Sequence, residues 1–459
     1  MTTFSESFIR TARNMLPMPF TIAILLTLVT MLLALVLTGP VEDQSTPYFI
    51  QILGFWEKGF WDLLSFAMQM MLMLVLGHVL ALTRPVDALI QKLVRYCTDT
   101  PKAAFIVTFA TIIVAWLNWG LGLIFGAVLA RKVGDSAVKN NYRINYPLIG
   151  AAGYVGLMIW HGGISGSAPI KVAEQGHFLA DSMGVIPLSQ TTFSVYNIIV
   201  TLLLLLLVPL AMNWLARRVP ETPAEELSSR LSTSAASANE KQTNNNPVTP
   251  AEKLDRSRGL AYLVAAMILG IAIYNAMHTA SGVALGFLTP NFINFVLFGV
   301  GLLLYGNFKE YVAAIDEAIV GAAGIMIQFP LYAGIAGVMQ YSGLIAVFSD
   351  FVVTYSNTVT FPLYTFVSAG VVNVFVPSGG GQWAVQGPII VQAASQMHLS
   401  FSKCVMAMAY GDQLTNMAQP FWALPLLGIT KLTAQEILPF TLFMMSIGFT
   451  VMAVALLVF

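Results

Sequence analysis

Four short polar and glycine-rich segments interrupt apolar stretches of this 459-residue chain. Segments 118–122 and 161–169 lie in the first half, and segments 373–381 and 415–420 follow in the same order in the second half. Backbone that leaves a helix at membrane depth exposes N–H and C=O groups that lipid cannot satisfy, so protein or a watery cavity has to cover it. Matched breaks in two halves of a chain therefore predict the binding site of a transporter.

The residues at these breaks suit the binding of a carboxylate. A helix that begins at a break points its backbone N–H groups and the positive end of its dipole toward the site. Glycine permits close approach to the backbone, hydroxyl and amide side chains add neutral donors, and tryptophan offers an apolar wall for a short alkyl chain. The candidate substrate-binding residues are Trp119, Ser165, Ser167, Ser378, Gly379, Gly380, Gly381, Gln382, Trp383, Thr415 and Asn416.

Oxygen atoms at the breaks also suit a hard monovalent cation such as Na⁺. The candidate coupling-ion residues are Asn118, Gly120, Asn373 and Asp412. Asp412 is the sole acid in the apolar run 403–427, and acids at membrane depth are costly and usually functional. Three roles stay open for Asp412: it carries a proton, ligates a cation or caps a half-helix. Beyond a Na⁺ site, no metal or cofactor is predicted.

Three basic side chains within or next to the apolar runs bear on the site. His78 is expected to pack through a hydrogen bond, whereas His161 adjoins the first-half break at 161–169. Lys171 follows that break and is expected to snorkel outward to the membrane surface. No arginine lies in any break, which argues against a dicarboxylate held by an arginine clamp.

Composition places the chain among helical membrane proteins. It is 57% hydrophobic and 10% charged, whereas soluble domains carry about 25% charged residues. The apolar runs are long enough for helices rather than for the strands of a barrel. A net charge of zero gives no sign of nucleic-acid binding, and Cys97 and Cys404 are expected to be unpaired packing thiols. The chain lacks a phosphate-binding GxxxxGK[ST] motif, so a solute or ion gradient is expected to supply the work, and no ATPase subunit is implied.

Basic loops predict the orientation of the spans. Arg10 and Arg13 place the N-terminus in the cytoplasm, and the acidic loop 39–59 lies outside. The basic loops 83–102 and 131–145 both lie inside, so the run 103–130 between them is predicted to be a re-entrant hairpin. When this inside–outside assignment is continued span by span along the chain, it predicts an all-α polytopic protein with about nine full spans, two hairpins, two broken helices and a periplasmic C-terminus.

The landmarks recur in two halves of opposite topology. Residues 1–215 form the first repeat, with the hairpin 103–130 and the broken helix 146–170. The polar segment 216–257 is predicted to be a flexible cytoplasmic linker. Residues 258–459 form the second repeat, with the hairpin 361–391 and the broken helix 403–427. Gln69 and Gln328 precede their hairpins at similar intervals, so the repeats are predicted to be inverted.

The motif regions resemble the short-chain fatty acid transporter family of bacteria. The resemblance rests on NVFVPSGGGQWAVQGP at 373–388, NMAQPFWALP at 416–425, NWGLGL at 118–123 and GGISGSAP at 162–169. It implies an inner-membrane carrier for short monocarboxylates such as butyrate or acetoacetate. Through the ion-transporter superfamily it also implies a scaffold that often forms a homodimer, and elevator-type movement of the hairpins with their broken helices.

Alternatives remain at this point. Gly163-Ile164-Ser165-Gly166 has the G-x-S-G pattern of intramembrane serine proteases, with Ser165 as nucleophile and a nearby histidine as base. A passive channel for small acids and a carrier of another anion class are further alternatives. The leading hypothesis is a secondary carrier, and its coupling ion, Na⁺ or H⁺, stays open.

Overall fold

The computed structural model describes residues 19–40, 46–232, 249–278, 285–419 and 421–459. Its regular elements there are helices, apart from one backbone bridge between Ile144 and Thr222. Arg10, Arg13, the acidic positions 42 and 43, the linker residues 233–248 and the break residue Pro420 lie outside the described residues.

Within the described residues, the first half contains ten helices. They are α1 (Pro19–Leu37), α2 (Tyr48–Asp62), α3 (Leu64–Ala81), α4 (Arg84–Val94), α5 (Thr100–Leu117), α6 (Trp119–Lys139), α7 (Tyr146–Tyr154), α8 (Ser167–Val172), α9 (Ala180–Met183) and α10 (Val195–Ala216). Short polar side chains begin several of them by accepting a backbone N–H, as Asn118, Asn145 and Ser194 do. Such caps satisfy the N–H groups that a helix start leaves free.

The described remainder of the chain contains twelve helices. They are α11 (Ala224–Ser232), α12 (Pro250–Asp255), α13 (Arg258–His278), α14 (Pro290–Tyr305), α15 (Phe308–Ile319), α16 (Ala323–Tyr341), α17 (Leu344–Tyr355), α18 (Thr360–Phe375), α19 (Gly379–Gln396), α20 (Phe401–Thr415), α21 (Leu424–Thr430) and α22 (Ala434–Val458). Thr289, Asn307 and Ser378 cap α14, α15 and α19 in the same way.

By length and composition, the chain is a multi-pass membrane protein. Within the described residues, seven helical stretches can cross a membrane, and the bent pair α15–α16 adds an eighth. The stretch Tyr146–Val172 is 94% buried over its most apolar part, whereas α13 is 22% buried. The first broken span is therefore surrounded by protein, and α13 faces the lipid. The span count of nine and the orientation of the termini stay predictions.

Helix interruptions lie where the sequence predicts hairpin tips and broken helices. Asn118 separates α5 from α6 with an extended backbone (φ −150°, ψ 123°), and residues 376–378 separate α18 from α19. The first broken span passes from α7 through 3-10 turns at Val155–Met158 and Trp160–Gly162 to α8, and the second passes from α20 to α21. Because α5 alone is long enough to cross a membrane, the re-entrant course of both hairpins stays a prediction.

Part of the segment predicted to be a flexible linker is helical and packed. The helix α11 lies at 224–232, and its Leu227 and Leu231 are 3% and 6% exposed. Arg131 of α6 donates from Nη2 to the carbonyl oxygen of Leu231 at 3.2 Å. The apolar face of α11 is thus buried against the protein, which was not expected for a segment of this polar composition.

Helices α6 and α7 touch at two glycines, and this contact yields a first prediction. A Cβ placed on Gly126 would lie 2.0 Å from the carbonyl oxygen of Gly153, closer than any side chain permits. We expect Gly126→Ala to destabilise the protein by about 2 kcal/mol, because small residues let membrane helices approach and an added methyl overpacks the contact. Thermal unfolding in detergent measures this. Gly270→Ala on the lipid-facing α13, which has open space around it, is the matched control, and equal melting temperatures for the two variants would contradict the expectation.

Candidate substrate and coupling site

A buried His161–Asp412 pair joins the two broken helices. The Nδ1 of His161, in the 3-10 turn of the first broken span, lies 2.5 Å from Oδ2 of Asp412 in α20. Both side chains are buried, with 0% and 1% of their surface exposed. The Nε2 of the same ring accepts the backbone N–H of Ala168 at 3.0 Å. The pair therefore links residues that are 251 positions apart in the chain.

These two hydrogen bonds determine where the proton lies. Because Ala168 donates its N–H, Nε2 must carry a lone pair, so Nδ1 carries the proton and donates it to the carboxylate. His161 is thus the neutral tautomer with its proton on Nδ1, and an ionised Asp412 would leave one negative charge in the interior. The Oδ1 atom of Asp412 has no hydrogen-bond partner among the described residues. Neither carboxylate oxygen accepts a backbone N–H there, so helix capping, one of the three roles open for Asp412, is not the role seen.

The start of α19 lies against this pair. A Cβ on Gly379, the first residue of α19, would lie 2.6 Å from Cε1 of His161 and 2.8 Å from Cη2 of Trp160. Glycine is therefore required for α19 to approach the imidazole. The N-terminal end of α19 therefore packs against the imidazole that pairs with Asp412.

Side chains of the second broken helix satisfy backbone groups of the first. The Oε1 of Gln413 accepts the N–H groups of His161 and Gly162, both at 3.0 Å. The Nδ2 of Asn416 donates to the carbonyl oxygen of Leu157 at 3.3 Å. The first-half break is thus covered by protein, as its depth in the membrane requires.

In the first half, the hairpin tip is tied to its own broken helix. Asn118 caps α6 by accepting the N–H of Leu121 through Oδ1, and the Oγ of Ser165 accepts the N–H of Trp119 at 3.0 Å. Ser165, predicted to bind substrate, therefore completes the start of α6. The Nδ2 of Asn118 is left without a partner among the described residues.

The second half shows the corresponding link. The Nδ2 of Asn373 lies 2.8 Å from the carbonyl oxygen of Asp412, 3.0 Å from Oγ1 of Thr415 and 3.1 Å from Oδ1 of Asn416. Its own Oδ1 has no partner in the described part of the chain. Asn373 therefore joins α18 to α20 and leaves one amide oxygen free next to the Asp412 region.

A small cavity opens where the breaks meet. Its volume is about 20 Å³, room for about one water molecule. Within the described chain its lining is Met70, Trp119, Leu157, Trp160, Ser167, Phe329, Ser378, Gly379, Asn416 and Trp422. Trp119 packs against Trp160 and Trp422, with ring centroids 5.5 and 5.2 Å apart. Any ligand larger than a water molecule would require these side chains to move.

The polar groups of this cavity are mainly donors. The indole N–H groups of Trp119 and Trp160 have no acceptor among the described residues. The hydroxyl of Ser167 donates only to the thioether sulfur of Met70, at 3.3 Å, and sulfur is a weak acceptor. Three residues that line one chamber thus carry donors without a good partner, which suits an acceptor-only group such as a carboxylate.

The predicted substrate-binding residues divide into two groups. Five line the cavity, namely Trp119, Ser167, Ser378, Gly379 and Asn416. Ser165, Gly380, Gly381, Gln382, Trp383 and Thr415 lie outside its lining. A Cβ on Gly380 would meet Phe66 and Phe329, and one on Gly381 would meet Tyr332. Gln382 bonds to the Ala369 carbonyl and to Gln386, Trp383 is wholly buried, and Thr415 bonds back to Gly411.

Sequence reasoning missed part of the site. Met70, Leu157, Trp160, Phe329 and Trp422 were not among the candidate binding residues. Met70 follows the landmark Gln69 directly, and Phe329 follows Gln328, so the repeat landmarks were the available signal. Among the coupling-ion candidates, Gly120 acts as a contact between helices, because a Cβ on it would lie 3.0 Å from the Leu74 backbone.

Lys171 corrects the expectation that it snorkels outward. Its residue is 8% exposed, and its Nζ lies 2.5 Å from Oε2 of Glu174 and 3.4 Å from Oε1 of Gln69. The cause is local: α8 ends inside the protein, and an acid one turn later neutralises the ammonium. The side chain has no need to reach water.

Comparison with known proteins places the chain in a family. The profile of a family described as short chain fatty acid transporter matches residues 1–459. The chain belongs to this family. Relatives provisionally named short-chain fatty acid transporters occur in Escherichia coli K12, at 38% identity over 95% of this chain and 94% of the relative, and in Haemophilus influenzae Rd, at 36% identity over 96% and 94%.

Solved structures support the fold. MtrF of Neisseria gonorrhoeae, described with a class of antimetabolite efflux pumps, superposes with a TM-score of 0.57 at 16% identity, covering 98% of this chain and 97% of its own. The YdaH transporter of Alcanivorax borkumensis, described as having an unusual topology, superposes with a TM-score of 0.56 at 16% identity, covering 95% and 98%. At this identity the likeness shows a shared transporter fold and nothing about substrate.

Membership of a transporter family argues against the protease alternative. The family and its relatives are transporters rather than enzymes. The geometry agrees, because the Oγ of Ser165 is engaged with the N–H of Trp119 and both ring nitrogens of His161 are engaged elsewhere. A serine nucleophile needs a base with a free nitrogen within reach.

The tight contact at Gly379 yields a second prediction. We expect Gly379→Ala to lower uptake of a short-chain fatty acid at least tenfold, because its methyl group would displace the rings of His161 and Trp160 from the site. Initial rates in proteoliposomes measure this. The matched control is Gly428→Ala, where no atom lies within 4 Å of the added carbon. Wild-type uptake by the Gly379→Ala variant would mean that the approach of α19 to His161 is dispensable.

Proposed function

We propose that the chain is a secondary active transporter of short-chain fatty acids, carrying monocarboxylates such as butyrate or acetoacetate across the bacterial inner membrane together with Na⁺ or H⁺. Family membership supports the substrate class, and the apolar helices support a multi-pass carrier. The proposed orientation places the N-terminus in the cytoplasm and the C-terminus in the periplasm. A homodimeric scaffold is part of the same proposal.

The donor-rich cavity carries this proposal. A carboxylate only accepts hydrogen bonds, and Trp119, Trp160 and Ser167 offer donors that lack good acceptors. The tryptophan rings and Leu157 offer an apolar surface for a short alkyl chain. The lining of the cavity in the described residues contains no lysine or arginine, so nothing there would hold a second carboxylate.

The buried carboxyl group of Asp412 supports cation coupling. If Asp412 is ionised, it would repel an anionic substrate in the cavity, since charges interact strongly away from water. A cation or proton on Asp412 would remove this repulsion. The free Oδ1 of Asp412 and the free Oδ1 of Asn373 are the oxygens available for it. His161 is less suited to take a proton, because its Nε2 accepts from Ala168.

The hydrogen bonds at the two tips support elevator-type movement. Ser165 holds the first hairpin to its broken helix, and Asn373 holds the second hairpin to α20. Each hairpin and its broken partner would then move as one body past the remaining helices. Crosslinks that fix the hairpins to those helices should stop uptake, and unchanged uptake would count against this movement.

The coupling ion is tested by uptake of labelled butyrate into proteoliposomes under separate Na⁺ and pH gradients. We expect one gradient to drive accumulation, and we expect Asp412→Asn to retain exchange of butyrate but to lose accumulation, because the neutral side chain no longer needs a cation. Asp255→Asn, at an exposed residue of α12 that lines neither the cavity nor the crevice, is the control. Butyrate flux that does not saturate and ignores both gradients would indicate a channel instead.

The role of the indole donors is tested by conservative substitution. Trp119→Phe and Trp160→Phe retain an aromatic ring and remove the N–H. Each should raise the KM for butyrate roughly tenfold, because a hydrogen bond to a charged group contributes about 1.5–3 kcal/mol. Trp214→Phe, at an exposed tryptophan that stacks on Phe443, should leave KM unchanged. An unchanged KM in both cavity variants would remove the donors from the proposal.

A further inference from the structure

Lys171 stands apart from every other basic side chain in the structure. Among the described residues it is the only lysine or arginine with less than a tenth of its surface exposed. Its Nζ lies 5.2 Å from the centroid of the Phe66 ring, within cation–π distance. Glu174 neutralises it at 2.5 Å. The proposed transport cycle described above makes no use of this charge.

Lys171 is placed next to the cavity. It lies four residues after Ser167 on α8, so the two side chains share a helix face, and Ser167 lines the cavity. The ring under its ammonium, Phe66, packs on Phe329 at a centroid distance of 5.8 Å, and Phe329 also lines the cavity.

Lys171 is also next to a polar crevice. Phe66 packs on Phe178 at 6.3 Å, and Phe178 lines a crevice of about 810 Å³. The polar residues of its lining are Asp62, Asp181, Ser182, Gln340, Tyr341, Gln392, Ser395 and Gln396. By the loop-charge orientation this crevice opens on the periplasmic side. Phe66 thus separates the crevice from the cavity, with the Lys171 ammonium over its ring.

Glu174 has other partners besides Lys171, so it is able to leave the ammonium. Its Oε1 accepts from the Nε2 of Gln69 at 3.2 Å, and that nitrogen also lies 3.0 Å from Oδ1 of Asn291 in α14. The side chain of Glu174 is 17% exposed, more than the 10% of Lys171. A carboxylate that arrives from the crevice can take its place on the ammonium while Glu174 keeps Gln69 or turns to water.

We propose that Lys171 is a second carboxylate-binding position, at which a monocarboxylate from the crevice displaces Glu174 before it passes Phe66 into the cavity. This inference rests on the proposed function for the identity of the anion. Its physical basis is that an anion leaving water needs a positive partner, and Lys171 is the buried cation on this route. Because Lys171 carries one positive charge, which Glu174 balances with one negative charge, the position suits an anion with a single charge.

Charge-pair variants distinguish a binding role from a structural one. At low butyrate concentrations, uptake should fall at least tenfold in Lys171→Gln, stay near wild type in Lys171→Arg, and rise several-fold in Glu174→Gln. The double variant K171Q/E174Q decides between the two roles. A structural ion pair tolerates loss of both partners better than loss of one, so recovery of uptake in the double variant would overturn the proposal. Uptake as low as that of Lys171→Gln supports it.

A binding measurement separates this inference from the proposed function. The probe is acetate, and its stabilisation of the purified protein in detergent is measured as a shift in melting temperature against chloride at equal ionic strength. The W119F/W160F background weakens the cavity site. In that background, acetate should stabilise the protein more with Glu174→Gln and not at all with K171Q/E174Q.

The outcomes are distinct. Acetate stabilisation that depends on Lys171, without butyrate uptake under any gradient, would reject the proposed function and retain the second position. Butyrate uptake that is unchanged in Lys171→Gln, with acetate stabilisation that does not depend on Lys171, would reject the second position and retain the proposed function.

Discussion

Backbone polar groups at membrane depth need partners, and this requirement governs the centre of the protein. Four interruptions of the helices leave N–H and C=O groups that lipid cannot satisfy. Gln413 and Asn416 of the second half bond to the backbone of the first break, while Ser165 and Asn373 tie each tip to its own broken helix. The second half therefore completes the first break, and the two broken helices converge.

The convergence produces both the cavity and the buried carboxyl group next to it. The partners of the breaks occupy most amide and hydroxyl groups, whereas the indole N–H groups of Trp119 and Trp160 have no acceptor among the described residues. The His161–Asp412 bond places a carboxyl group beside an aromatic stack, since the ring centroids of Trp160 and His161 lie 4.4 Å apart in a stacked arrangement. Under the proposed function, anion recognition and the need for a cation both come from this one arrangement.

Glycine makes this arrangement possible at several points for one reason, the approach of backbone to backbone or to a ring. Gly126 meets Gly153 across α6 and α7, and Gly379 meets the imidazole of His161. The first contact supports the scaffold and the second shapes the site. Lys171 shows the opposite case, a long charged side chain retained inside because Glu174 and Gln69 satisfy it. Both cases place polar or charged groups where lipid alone would exclude them.

By itself, the sequence determined the membrane class, the positions of the four interruptions and the family motifs, because apolar runs and glycine breaks are local signals. It also identified Asp412 as costly at membrane depth and tryptophan as a candidate apolar wall of the site. Only the tertiary structure decided that Asp412 pairs with His161, that Ser167 lines the cavity while Ser165 caps α6, and that Lys171 is buried. These outcomes depend on partners hundreds of residues away or on the direction of one turn. Local periodicity in the sequence does not reveal such contacts, because they form only when the helices pack together.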